Sequence, residues 1–209
     1  MPPKPRLPPS LRPYTTTTKP PTRLTIALTG ATGAPYGITT LKFLRELNIE
    51  SRLIISQWAH STIKYETPFS IPDVTALATK TYSSDGMIIA PCSVNTLAAI
   101  RAGYAEDLIS RAADVCIKER RPLVLVVRET PLSAIYLENM LALVRLGGVV
   151  FPAVPAFYTR PKGLEAMVEH SVARMLDCVG VDVGGLMPEE GRWEGYRRKQ
   201  LGYNGTSSS

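Results

Sequence analysis

Between residues 24 and 180, short β-branched apolar runs alternate with stretches of helical periodicity, and this alternation restricts the fold more than any other feature. Candidate strands cover residues 24–28, 51–55, 87–90, 123–127 and 149–150. Candidate helices cover roughly residues 37–47, 58–65, 94–101, 107–120, 132–146 and 161–178. A strand that is followed by a helix re-enters the sheet from the same end, so the strands are expected to lie parallel. Such a sheet needs both faces covered, which predicts an α/β fold in three layers with right-handed crossovers.

With 209 residues and 44% hydrophobic content, the chain can bury one core. We expect a folded domain over residues 23–180, between a basic Pro/Thr-rich tail at 1–22 and a second tail at 181–209. The formal net charge is +6, yet Lys4, Arg6, Arg12, Lys19 and Arg23 bring five positive charges with no acid among them. The domain itself is nearly neutral, so the basic pI does not argue for a nucleic-acid partner. No apolar run reaches membrane-spanning length. Cys92, Cys116 and Cys178 show no C-x-x-C spacing, so neither a disulfide framework nor a metal site is expected. The acid-free, hydroxyl-rich tail has the composition of an organelle transit peptide, although its prolines oppose an amphipathic helix. Mitochondrial and cytoplasmic locations both fit.

Polar motifs recur where the strands end. TGATG follows the first strand, Ser56 the second, PCSVNT the third, RETP the fourth and PAFYTRP the fifth. In open α/β sheets the carboxyl edge is where ligands bind, so five loops are expected to converge on one crevice. The first turn, TGATGAPYG, is spaced G-x-x-G-x-x-x-G, which fits neither the dinucleotide fingerprint nor the P-loop. It reads either as a plain βα turn or as a turn whose N–H groups approach an anion.

Within RETP, Thr130-Pro131 reads as an N-cap followed by proline at the first helical position. That would set Arg128 and Glu129 at the mouth of the crevice, as an anion binder beside a proton carrier or as an ordinary surface ion pair. Arg111 and Lys118 are seven residues apart and share one helix face, where both could meet a single anion. Ser93 is either an N-cap or a ligand hydroxyl. His60 and His170 have no neighbours suited to a triad or a metal and read as helix-surface residues.

TGATGAPYG, PCSVNT, ISRAADVCIKERRPLVLVVRETPLS, LENML and PAFYTRP, in this order, closely resemble the UbiX-type flavin prenyltransferases, once labelled phenylacrylic acid or polyprenyl-hydroxybenzoate decarboxylases. The resemblance covers about residues 23–180. It implies a Rossmann-like, flavodoxin-type fold that assembles as a homo-dodecamer and binds FMN between subunits. It also implies alkylation of reduced FMN by dimethylallyl phosphate, without a metal, to make prenylated FMN for a UbiD-type decarboxylase. By matched position, Gly30, Ala31, Thr32, Ser56, Ser93, Val94, Asn95, Thr96 and Arg128 would contact FMN. Lys118, Glu129, Tyr158 and Arg174 would handle the prenyl phosphate and its protons, with Arg111 nearby. Trp193 would correspond to an aromatic lid or anchor a tail.

Two departures stand out. Thr32 replaces the serine usual in the family's first turn and keeps the hydroxyl, a change expected to be tolerated. The segment TPFSIPDVTALATKTYSSDG is shorter than its family counterpart, which carries a Ser-Gly-Ser phosphate loop. Ser83, Ser84 and Gly86 are the candidates to replace that loop. If nothing does, the alternative is a non-catalytic FMN-binding or regulatory paralogue. PCSVNT also resembles a motif of cysteine decarboxylases, but no suitably placed histidine accompanies it.

Overall fold

The computed structural model describes residues 22–79, 84–184 and 186. Strands β1 (Arg23–Leu28), β2 (Glu50–Ile55), β3 (Gly86–Cys92), β4 (Leu123–Val127) and β5 (Val149–Val150) form one sheet in the order β2-β1-β3-β4-β5. Every neighbouring pair is parallel, as the alternation predicts. The crossovers hold α1 (Ala34–Glu46), α2 (Gln57–Glu66), α3 (Ile71–Thr75), α4 (Val94–Ala102), α5 (Leu108–Lys118) and α6 (Ala134–Arg145), and α7 (Leu164–Cys178) follows β5.

The apolar runs are continuous because each central strand is buried on both faces. Leu24, Ile26 and Leu28 of β1, with Ile88, Ala90, Val124 and Val126, pack under α1, α2 and α7 through Leu41, Ile63, Val172 and Leu176. Ala27, Met87, Ile89, Leu125 and Val127 point the other way, against Leu97 of α4, Ala113 of α5 and Leu143 of α6. Packing of the first layer continues through Val181 and Val183, which are also buried. At Gly37 the first helix lies directly on the sheet: a Cβ there would overlap the Ala90 carbonyl oxygen and come within 2.9 Å of Leu28 Cγ.

Helix ends depart from the periodicity for local reasons. α1 begins at Ala34, three residues before its expected start, because Gly33 takes a left-handed φ of 108° and Pro35 fits the first turn. α5 stops at Lys118 because Arg120 turns left-handed, at φ 55°. Thr130-Pro131 does not open α6. That peptide bond is cis, and Ser133 is the N-cap, its hydroxyl accepting the Tyr136 N–H at 3.2 Å. α7 begins at Leu164 after Gly163, later than its periodicity suggests.

The helix α3 was not expected. It is set by a capping box in which Ser70 and Asp73 exchange hydrogen bonds between side chain and backbone. Val74 is fully buried beneath it, Lys42 lies 4.6 Å above the Phe69 ring, and Thr79 pairs with the Ser51 backbone through N–H and hydroxyl at 2.8 Å each. The shortened crossover is thus a docked element up to Thr79.

Candidate functional site

Reversal of strand order between β1 and β3 opens a crevice at the carboxyl edge of the sheet. Its floor is fastened by Thr29, a buried residue that the motif reading passed over. The Thr29 hydroxyl donates to the Pro91 carbonyl at 2.8 Å and accepts the Ser93 N–H at 2.8 Å. The loops after β1 and β3 are therefore tied together. Only its position, one residue ahead of the glycine turn, hinted at this in the sequence.

Ser56 and Ser93 are N-caps, accepting the N–H of Ala59 and of Thr96 at 3.2 Å each. Ser93 Oγ also lies 3.0 Å from Thr96 Oγ1. Capping leaves each hydroxyl a further lone pair, so it does not exclude a ligand contact. Val94 and Asn95 lead the first turn of α4, where a helix leaves its N–H groups without intrahelical acceptors.

The glycine turn does hold an anion, and the chain supplies it. Glu66, at the end of α2, accepts the N–H groups of Gly33 and Ala34 at 2.8 Å each. The amino end of α1 is satisfied in this way, which leaves Gly30, Ala31 and Thr32 as the turn's open stretch. Gly30 is held close to α2, since a Cβ there would sit 2.5 Å from Trp58 Cβ.

Arg128 crosses from the end of β4 to this turn, its Cγ lying 3.8 Å from where a Cβ on Gly33 would be. Burial raises the Tyr36 phenol above its ordinary range, against the opposing pull of the Arg128 guanidinium. Among the described residues no ion pair joins Arg128 to Glu129; the Glu129 carboxylate instead accepts the Thr130 N–H at 3.1 Å. The surface-ion-pair reading of RETP therefore does not hold.

Beyond β5 the chain stays hydrogen-bonded to β4 as far as Ala153, whose N–H reaches the Val127 carbonyl at 3.2 Å. This carries the chain past the end of β4, where residues 154–158 and α7 line an open cleft of about 480 Å³. Tyr158 and Arg174 both line it, as does His170. The expectation that His170 is a surface residue fails: only 9% of it is exposed, and its ring meets Tyr158 edge-on with centroids 6.0 Å apart. Arg174 is exposed and pairs with Asp177 at 3.0 Å.

Lys118 and Arg111 are not brought to these groups within one chain. Each pairs with an acid on or beside its own helix, Lys118 with Glu119 at 3.1 Å and Arg111 with Asp114 at 3.6 Å. Lys118 lies five residues before β4, where Arg121 donates to the Ser84 carbonyl ahead of β3. That is the amino edge, opposite Glu129. Ser84 and Gly86 share this edge, and the Ser84 hydroxyl bonds to the Gly86 carbonyl, so within one chain they do not stand in for a loop over the crevice. Ser83 and Trp193 lie outside the described residues.

A flavin mononucleotide suits the crevice chemically. Gly30 and Thr32 are exposed and leave turn backbone and a hydroxyl open to a ligand, α4 offers N–H groups to an anion, and Arg128 adds a cation without an acidic partner among the described residues.

The Flavoprotein family model matches residues 13–179. The mitochondrial flavin prenyltransferase PAD1 of Saccharomyces cerevisiae is 54% identical over 193 residues, 86% of this chain and 78% of the yeast protein. A crystal structure of AnUbiX with FMN and dimethylallyl pyrophosphate superposes with a TM-score of 0.78 at 49% identity, covering 84% of this chain and 98% of the other. A dodecameric FMN-dependent UbiX-like decarboxylase from Escherichia coli O157:H7 gives 0.77 at 49% identity, covering 83% and 100%. With the parallel sheet, the switch-point crevice and these relatives in agreement, the chain belongs to the flavoprotein family, among the UbiX-like flavin prenyltransferases.

Proposed function

We propose that this enzyme transfers a dimethylallyl group from dimethylallyl phosphate to reduced FMN and yields prenylated FMN for a UbiD-type decarboxylase. The observation that carries the reading is the pairing of a crevice at the β1/β3 switch point with a cleft lined by both Tyr158 and Arg174. Reduced FMN, when bound, supplies the nucleophilic ring that accepts the prenyl carbon.

Gly30, Ala31, Thr32, Ser56, Ser93, Val94, Asn95, Thr96 and Arg128 hold the flavin. Tyr158 and Arg174 bind the prenyl phosphate; as the allylic C–O bond breaks, the electron pair leaves with the phosphate, and positive and hydroxyl donors stabilise it. Glu129, at the end of β4, carries protons. Lys118 occupies the amino edge of its own sheet and Arg111 lies two turns back along α5, paired with Asp114, so in this reading they serve the cleft of a neighbouring subunit in a homo-dodecamer. The named yeast relative supports a mitochondrial location, with a cytoplasmic one as the other possibility.

The test is anaerobic incubation with reduced FMN and dimethylallyl phosphate, then with the diphosphate, followed by mass spectrometry of the flavin. Mass gain with the monophosphate is expected. Bound FMN that never gains mass with either donor would overturn the reading in favour of a non-catalytic paralogue.

A further inference from the structure

We propose that His170 is a positioning residue for the prenyl donor, acting through Tyr158. The inference rests on the reading of the cleft as the donor's binding site.

Tyr158 stands on a single 3-10 turn, Phe157–Thr159, with 55% of its surface exposed. A residue on so short an element, flanked by the left-handed Arg160 at φ 49°, gets little orientation from its own backbone. Orientation has to come from what its ring touches. His170 supplies that contact: its ring is nearly perpendicular to the Tyr158 ring, at 88°, and it is buried on the rigid helix α7. Edge-to-face rings are held in register by the aromatic quadrupole as well as by area.

The helical period gives the arrangement its purpose. His170 and Arg174 are four residues apart on α7, so they lie one above the other on the same face, and both line the cleft. His170 thereby fixes Tyr158 relative to the guanidinium one turn further on. Phenol and guanidinium are held as a pair that can close on one phosphate group. Nearby Phe151 and Phe157 line the same cleft and suit the apolar prenyl tail.

The experiment compares wild type, His170→Ala and His170→Phe by calorimetric titration with dimethylallyl phosphate and by steady-state turnover. His170→Ala is expected to weaken donor binding and raise the donor KM by roughly fivefold, the scale of one lost aromatic pair, with FMN affinity unchanged. His170→Phe keeps the ring contact and should restore both values. In a Tyr158→Ala background, His170→Ala should add nothing further, because the residue it positions is gone. A purely structural role predicts instead that FMN and donor binding fall together, or that the two substitutions are additive, and either result overturns the proposal. Donor binding that is unchanged in folded His170→Ala also overturns it. If the wild type binds FMN but not the donor, the cleft assignment itself fails, a result distinct from any effect of His170.

Discussion

The Thr29 hydroxyl sits between two loops, donating to the Pro91 carbonyl and taking the Ser93 N–H, both at 2.8 Å. Thr29 is 2% exposed, so water cannot replace either partner if the hydroxyl is removed. Thr29→Val keeps the shape and leaves a buried donor unpaired, at a cost of about 1–3 kcal/mol. Chemical denaturation should show that loss. FMN affinity should fall as well, because Ser93 opens the helix whose first turn we propose faces the flavin.

Glu66 offers a second prediction. Its carboxylate answers two orphan N–H groups at the positive end of α1. Since Glu66 is exposed, water can take over part of its role, and Glu66→Ala should cost only about 1 kcal/mol. The informative readout is proteolysis or hydrogen exchange at Gly33 and Ala34, where protection should fall while that of the sheet is retained.

Much of this fold was legible because the central strands β1, β3 and β4 are apolar runs buried on both faces, and the half-buried edge strands β2 and β5 still carry short β-branched or apolar runs. The site was legible for a topological reason: parallel strands send every following loop to one edge, and the polar residues lay in those loops. What stayed hidden depended on pairings across the sequence. Nothing near Glu66 in the chain says that it caps a helix starting 32 residues earlier. Similarly, His170 looks like any helical histidine until the loop after β5 folds over it. Thr130 was misread as the cap of α6 because Ser133, three residues on, competes for the same duty and wins it. Lys118 illustrates a further limit, since a motif match cannot tell which sheet edge, or which subunit, a side chain serves.

Gly37 gives a prediction about packing. A methyl group at this position would run into the Ala90 carbonyl, which is backbone and cannot swing aside. Gly37→Ala should therefore destabilise by about 3 kcal/mol despite the better helix propensity of alanine. A thermal melt checks this, and an unchanged midpoint would mean that α1 sits further from the sheet.

Acid should weaken the fold through Asp85 and Asp107. For each, burial raises the carboxyl pKa, but hydrogen bonds outweigh it: Thr22 and Arg23 lower Asp85, and Ser110 with the Ile109 N–H lowers Asp107. A carboxylate depressed in the folded state contributes stability above its unfolded pKa of about 4 and loses it as pH falls through the folded value. Stability should thus be level near neutrality and decline below about pH 4. Asp107→Asn preserves a capping oxygen but cannot titrate, so its acid decline should be shallower than that of wild type in denaturant titrations at stepped pH.

The cysteines provide the last prediction, through the order in which they react. Attack on a thiol reagent needs the thiolate, and burial disfavours it. Burial pushes Cys92 up to about 12 and Cys116 to about 11, and both are buried in the layer formed by α4, α5 and α6. Cys178 is also raised by burial, but it is only half-buried, with Arg174 pulling against the shift. In native protein at pH 8, Cys178 should label first and Cys92 should label only on unfolding. Mass spectrometry of timed alkylation reads this directly. Because Arg174 lines the proposed donor cleft and accounts for part of the Cys178 environment, dimethylallyl phosphate should alter the Cys178 rate while leaving Cys92 untouched. A change at Cys92 instead would mean that the donor acts by loosening the sheet.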